Sequence, residues 1–231
     1  SMGYDYLALG GMVPLKSPEI KLCLAAIREV VPASTRLHIL GFAKADDIDS
    51  FHSYDIASFD TTSPLIRAFK DAKQNYYLPG PDARLRYFTS IRVPQAIENP
   101  RLQRSVKRGV LRAEDLIAME AAALKALRAY DRGEADLEET LHYVMVYTAP
   151  LAEEKPYEDC HATVGMMKLA ERYRATLAAK PWKECSCSIC EHASVDVIIF
   201  RGSNRNKRRG IHNLAVYKNH IERLDLKRAV I

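Results

Sequence analysis

The amino-acid sequence predicts an α/β fold with parallel strands at its start, followed by a mainly helical part and a small cysteine-rich part. Two observations predict the first part. Short apolar runs without polar alternation are typical of strands buried on both faces. Helix-start signals separate these runs, which is the pattern of a parallel β-α-β arrangement. The chain has 231 residues, of which 48% are hydrophobic and 27% charged, so a disordered protein is excluded.

Three strands are predicted in the first seventy residues, and they are Tyr4 to Leu9, Leu37 to Phe42 and Ile56 to Phe59. Three helices follow them in turn. The first begins at Ser17-Pro18 and ends before Pro32, the second covers Ala45 to Phe51 with Asp46-Asp47 in its first turn, and the third runs from Ser63-Pro64 to about Ala72. In the first and third helices we expect the serine to cap the helix and the proline to take the first helical position.

The composition changes after residue 74, where Pro79-Gly80-Pro81 marks a loop or a boundary. We therefore divide the chain into residues 1–74, a mainly helical part 75–182, and a cysteine-rich part 183–231 that ends in a helix from about Asn213. No run approaches the roughly 18 to 20 apolar residues of a membrane span. We expect a soluble, cytoplasmic protein that does not bind a membrane.

The charges are concentrated in two basic runs. Lysine and arginine number 34 against 29 acidic residues, which gives a net charge of +5. One run holds Arg101, Arg104, Lys107, Arg108 and Arg112, and the other holds Arg201, Arg205, Lys207, Arg208 and Arg209. Such runs favour a polyanionic partner, and the second is predicted to be a phosphate-binding loop. A solvated helix face or a mobile loop is the competing interpretation.

Three of the five cysteines form the motif Cys185-x-Cys187-x2-Cys190. Thiolates at this spacing, with one distant histidine, meet the need of Zn²⁺ for four tetrahedral ligands. His212 is the preferred fourth ligand, and His192 and His220 compete with it. Four protein ligands leave no open position, so the zinc would be structural. Reduced cysteines in a turn are the alternative.

Asp60 directly follows the third strand, at the strand end where α/β proteins place their sites. A lone carboxylate there suits nucleophilic attack on the anomeric carbon of a sugar. A helix cap is the alternative. Gly10 and Gly11 close the first strand at the same end, where glycine permits a planar ligand to approach the backbone, although a simple turn is equally compatible with the pair.

Taken together, these motifs resemble the tRNA-guanine transglycosylase family. The resemblance covers residues 4–72 and 183–224 and is carried by Leu9-Gly10-Gly11-Met12, Leu40-Gly41-Phe42, Phe59-Asp60, the cysteine motif and His212-Asn213-Leu214-Ala215-Val216-Tyr217. Members of this family fold as TIM barrels with a zinc subdomain, and they exchange a guanine in nucleic acid for a 7-deazaguanine. The resemblance thus implies a partial TIM barrel, the last three β/α units, before the zinc-binding part.

The resemblance also implies roles for individual residues. Asp60 would attack C1′ and form a covalent intermediate. Gly10, Gly11 and Met12 would contact the base, through the Gly11 N–H and the Met12 carbonyl. Cys185, Cys187, Cys190 and His212 would hold structural Zn²⁺. Arg67 would contact phosphate, although Pro64-Leu65-Ile66-Arg67 departs from the family's Pro-Thr-Arg.

Two further departures shape the expected function. Asp60 and Cys185 are 125 positions apart, which indicates an insertion over 75–182 and a greater similarity to the paralogues that modify DNA than to those that modify tRNA. Only three of a barrel's eight strands are predicted. We expect the chain to need an N-terminal half-barrel from another chain, or a second copy of itself. The rival interpretation is a non-catalytic, zinc-dependent subunit that binds nucleic acid or serves assembly.

Overall fold

A computed structural model describes residues 3–42, 50–51, 53–81 and 84–228, and it has the mixed α/β fold that the sequence predicts. The strands are β1 (Tyr6–Leu9), β2 (Arg36–Ile39), β3 (Ile56–Phe59), β4 (Tyr76–Pro79), β5 (Leu85–Phe88), β6 (Ile91–Arg92) and β7 (Ile199–Phe200). The helices are α1 (Ser17–Val30), α2 (Ser63–Lys70), α3 (Pro100–Lys107), α4 (Ala113–Arg132), α5 (Leu137–Glu153), α6 (Val164–Ala179), α7 (Pro181–Glu184), α8 (Ser188–Ala193) and α9 (Ser203–Arg228). In the described part of the chain, no helix is both long and apolar enough to cross a membrane.

The first three strands form one parallel sheet in the order β1-β2-β3, as predicted. Helix α1 covers one face of it, where Ile20 and Leu24 pack with Ile39 and Phe42 in a buried cluster. The other face carries Tyr6, Ala8, His38 and Ser58, whose side chains stay exposed or half-exposed. The predicted helix over 45–51, with Asp46-Asp47, falls mostly on residues outside the described ranges.

The predicted helix caps are wrong by one residue. Helix α1 begins at Ser17, and its first turn is closed by the Glu19 carboxylate, which accepts the Lys16 N–H at 2.6 Å. Helix α2 begins at Ser63, and its cap residue is Thr62. In both helices the proline therefore occupies the second helical position, which is equally free of a required N–H bond.

Residues 75–182 and 183–231 share one hydrophobic core. Tyr76, Val144, Tyr147, Trp182 and Val197 are all buried in the same cluster, and they come from both sides of the predicted boundary. Strands β4 and β5 form an antiparallel hairpin, and β6 pairs with β7 across more than a hundred residues of chain. The sequence analysis did not predict these four strands, which have only two to four residues each.

Helix α9 begins ten residues earlier than predicted, so the basic run 201–209 is not a loop but largely the first turns of this helix. Arg209 is fully buried between α9 and α2. Its guanidinium donates to the Ala68 carbonyl at 2.6 Å and to Asn206 Oδ1 at 2.8 Å, and it lies 4.9 Å from the centre of the Phe200 ring. Burial lowers the pKa of Arg209 to about 10. The prediction that Arg209 contacts phosphate is therefore wrong.

We expect Arg209→Met to lower the free energy of unfolding by about 3 kcal/mol, because buried acceptors would lose a charged donor. The matched control is Arg208→Met on the adjacent, exposed residue, which should change it by less than about 0.5 kcal/mol. Urea denaturation of both variants measures the difference. If the two substitutions change the free energy of unfolding equally, the buried guanidinium contributes no more to stability than the exposed one.

Candidate active site and metal centre

The ends of β1, β2 and β3 lie side by side at one edge of the parallel sheet. The Leu40 N–H donates to the Leu9 carbonyl at 2.9 Å, and the Asp60 N–H donates to the Ile39 carbonyl at 3.4 Å. These bonds continue the ladder just beyond the strands. The glycines after β1 and β2 and the carboxylate after β3 are therefore presented at one edge.

The Asp60 carboxylate is solvent-accessible and held by two donors. Its Oδ1 accepts the Gly41 N–H at 3.0 Å and lies 3.3 Å from His38 Nε2, while 58% of the side chain remains exposed. The hydrogen bond from Gly41 is the main cause that lowers the pKa of Asp60 below its ordinary value. Helix α2 has no side-chain cap, so the cap interpretation of Asp60 does not hold. The group is an ionised, accessible carboxylate.

The glycines at this edge differ in what they do. Gly41 has a φ of +68°, and a Cβ there would lie 2.6 Å from Val13 Cγ2, so only glycine fits the turn that directs its N–H at Asp60. Gly10 and Gly11 are exposed, and nothing lies within 4 Å of where a Gly11 side chain would start. The Met12 side chain is in the core, and its carbonyl accepts the Leu15 N–H at 3.2 Å.

Sequence reasoning missed His38, which lies beside Asp60 on the face that α1 leaves exposed. Its Nδ1 is 2.6 Å from Ser58 Oγ, and the Ser58 hydroxyl is hydrogen bonded to the Tyr6 hydroxyl. The available signal was a histidine between two apolar residues of a predicted strand. That signal alone does not reveal the partner, which comes from a neighbouring strand.

The four predicted metal ligands converge. The ligand atoms of Cys185, Cys187, Cys190 and His212 all lie within 4.8 Å of one another. His212 Nδ1 is 3.5, 3.4 and 3.3 Å from the three sulfurs in turn. Bonds of about 2.3 Å to sulfur and 2.0 Å to nitrogen at a tetrahedral angle would separate two ligands by about 3.5 Å. The spacing therefore fits Zn²⁺.

The surroundings hold His212 in the form that a metal needs. Its Nε2 donates to the Tyr77 carbonyl at 2.9 Å, which leaves the Nδ1 lone pair facing the sulfurs. The Tyr76 ring stacks on the imidazole at 4.1 Å, and its hydroxyl is 3.3 Å from Cys190 Sγ. His192 is bonded instead to the Ser188 carbonyl at 2.7 Å, outside the cluster.

The thiols of the cluster shift one another's pKa values. The hydrogen bond from Cys190 lowers the pKa of Cys185 to about 3, while the same contact raises the pKa of Cys190. Three sulfurs this close do not all ionise unless a positive ion lies between them. The donor set thus fits a closed, structural zinc site with no position for substrate.

Asn213, which follows the ligand His212 along α9, connects the metal-ligand cluster to the sheet edge that carries Asp60. Asn213 is fully buried, and its side-chain amide donates to the Pro64 carbonyl at 3.2 Å and to the Asn75 carbonyl at 3.1 Å. Pro64 lies in the first turn of α2, four residues after Asp60. The helix that supplies the histidine ligand therefore also holds the element that follows the carboxylate.

The basic residues divide into internal and exposed ones. Arg201 is ion-paired with Glu120, and Arg205 with Asp196 at 2.9 Å. Both are mostly buried, so their predicted role as phosphate ligands is not favoured. Lys207 and Arg208 are exposed. Arg67 is half-buried and lies 4.9 Å from the centre of the Tyr87 ring.

The first basic run is also partly neutralised. Arg101 and Arg108 both bind Glu154 at 2.8 Å. Arg104 and Lys107 lie on the exposed side of α3. Fewer basic side chains are therefore available to a polyanion than the two runs contain.

Comparison with known proteins supports the resemblance seen in the motifs. The chain is 38% identical over 222 residues to a protein of Salmonella montevideo named DNA-guanine transglycosylase. The match covers 96% of this chain, and the chain spans 50% of the length of that relative. A scan against protein-family models gave no match.

We expect the chain to bind one Zn²⁺. The Cys185→Ser variant should no longer retain the ion. Loss of the metal should lower the free energy of unfolding by about 4 kcal/mol or more, because the metal joins α9 to the cysteine segment. Metal analysis and thermal unfolding measure both effects. Cys23→Ser, on an exposed cysteine, is the control and should alter neither. A metal-free chain of full stability would refute the zinc site.

Proposed function

Since this chain is related over 96% of its length to a DNA-guanine transglycosylase, we propose that it carries the nucleophile of a guanine transglycosylase. The reaction exchanges a guanine in nucleic acid, DNA in preference to tRNA, for a 7-deazaguanine base. The observation that carries the proposal is the Asp60 carboxylate, which is accessible, ionised and held at the same edge of the sheet as Gly10 and Gly11.

The chemistry proceeds through the Asp60 carboxylate. One carboxylate oxygen attacks C1′, so an O–C1′ bond forms as the C1′–N9 bond to guanine breaks. The electron pair of the broken bond leaves with guanine, which takes a proton from an acidic group that faces the base. The incoming 7-deazaguanine gives a proton back to the conjugate base of that acidic group, attacks C1′ through its ring nitrogen and displaces the carboxylate. A lowered pKa of Asp60 favours this second step, because a weaker base leaves more readily.

The neighbouring backbone supplies base recognition. The exposed main chain of Gly10 and Gly11 permits a flat purine to approach, and the Gly11 N–H and Met12 carbonyl offer a donor and an acceptor to its edge. A base inside a duplex must first be extruded to reach C1′. Lys207, Arg208 and Arg67 are the proposed phosphate contacts that hold the extruded strand.

We place the three β/α units within a larger (β/α)₈ barrel. The face with Tyr6, Ala8, His38 and Ser58 is the one that α1 does not cover, as expected for the interior side of a barrel. In this proposal a half-barrel from another chain, or a second copy, supplies the remaining strands and the acid that protonates guanine. The zinc is structural and takes no part in the reaction.

We expect Asp60→Asn to reduce exchange of labelled guanine in DNA by about a thousandfold or more, since the amide is not a nucleophile. The substitution should also abolish the covalent adduct seen on denaturing gels, while DNA binding persists. The assay uses the complete enzyme on guanine-containing DNA and tRNA. The control is Asp55→Asn. Asparagine, like aspartate, tolerates the left-handed backbone at this position (φ 55°).

Two outcomes would reject the proposal. If the Asp60→Asn variant exchanges guanine at the wild-type rate, Asp60 is not the nucleophile. Binding without exchange or adduct, in the wild type and the variant alike, would instead support a non-catalytic zinc-dependent subunit. Faster exchange in tRNA than in DNA would reverse the proposed substrate preference.

A further inference from the structure

A row of three side chains leads across the exposed sheet face to Asp60. It consists of Tyr6 on β1, Ser58 on β3 and His38 on β2, joined by the hydrogen bonds described above. Resting on the proposed function, we infer that His38 is a positioning residue that donates from Nε2 to Asp60, and that Ser58 and Tyr6 hold the His38 ring in place for this bond.

The direction of one of these hydrogen bonds follows from the charge of Asp60. An ionised carboxylate can only accept, so His38 Nε2 carries the proton that is shared with Asp60 Oδ1. The Ser58 hydroxyl can donate to His38 Nδ1 or accept from it, and either bond holds the ring in the same orientation. A further hydrogen bond to the Tyr6 hydroxyl holds Ser58 in place. Tyr6 and Ser58 thus orient the imidazole, and the imidazole orients the carboxylate.

The sheet register puts these groups on one side. The pairing of β2 with β3 shifts between Leu37 and His38, so that His38 lies opposite Ser58 and not opposite Ala57. Side chains two residues apart on a strand share a face, so the shift also brings Asp60 to the side of His38. On the other flank His38 pairs with Ala8, and the imidazole is partly exposed.

The two donors to Asp60 act on one oxygen. Gly41 N–H and His38 Nε2 both bind Oδ1, and two donors occupy the accepting positions of that oxygen. These bonds fix the carboxylate, and in this proposal Oδ2 is the oxygen that attacks C1′. When the ester forms through Oδ2, Oδ1 becomes its carbonyl oxygen and keeps both donors. The row therefore orients the nucleophile throughout the reaction.

We expect His38→Leu to lower kcat of guanine exchange about 10- to 100-fold with little change in KM, because the carboxylate loses its orientation and DNA contacts remain. His38→Gln should recover much of this loss, since its amide can donate to Oδ1. Ser58→Ala should have a smaller effect than His38→Leu, and Tyr6→Phe a smaller one still. The control is His142→Leu, on an exposed histidine of α5.

A second readout does not depend on activity. The carboxyl ¹³C signal of Asp60 gives its pKa by titration in the same variants. Removal of a donor destabilises the ionised form, so the pKa of Asp60 should rise in His38→Leu and rise less in His38→Gln. An unchanged pKa, or an active enzyme whose kcat is indifferent to His38→Leu, would overturn the positioning role. If the pKa rises but the wild-type enzyme exchanges no guanine, the interaction stands and the proposed function falls.

Discussion

The convergence of three thiols and one imidazole is the constraint on which the rest of the fold depends. The four ligand atoms lie within 4.8 Å of one another, and such a cluster is stable as thiolates only around a cation. It joins the start of α9, the segment around α8 and, through the Tyr77 carbonyl and the Tyr76 ring, strand β4. Elements that are distant in sequence are thereby fixed at one point.

This point is linked to the proposed nucleophile through α9. Asn213, next to the ligand His212, binds the Pro64 carbonyl in the first turn of α2, and Arg209 binds the Ala68 carbonyl near the last turn. Both side chains are fully buried. Helix α2 is therefore held at both ends by a helix that carries one of the four candidate metal ligands. Because α2 begins three residues after Asp60, we interpret the candidate metal site as support for the geometry of the strand ends that present Asp60.

Local patterns in the sequence predicted the metal-ligand cluster better than the architecture. The structure brings the cysteine motif and His212 together, and it puts Asp60 directly after a parallel strand, as expected. The basic run 201–209 does not form the predicted loop, because a mainly helical segment that buries one arginine and pairs two others has the same composition as a charged loop. His38 was missed because its role depends on a register shift between two strands, which no local pattern encodes.

Hydrogen–deuterium exchange with and without a zinc chelator most directly tests the link between the metal-ligand cluster and α2, the helix that follows Asp60. We expect chelation to accelerate amide exchange in α9 and also in α2 (Ser63–Lys70), while α1 (Ser17–Val30) on the same sheet stays protected. Accelerated exchange confined to the cysteine segment and α9, with α2 unaffected, would contradict it.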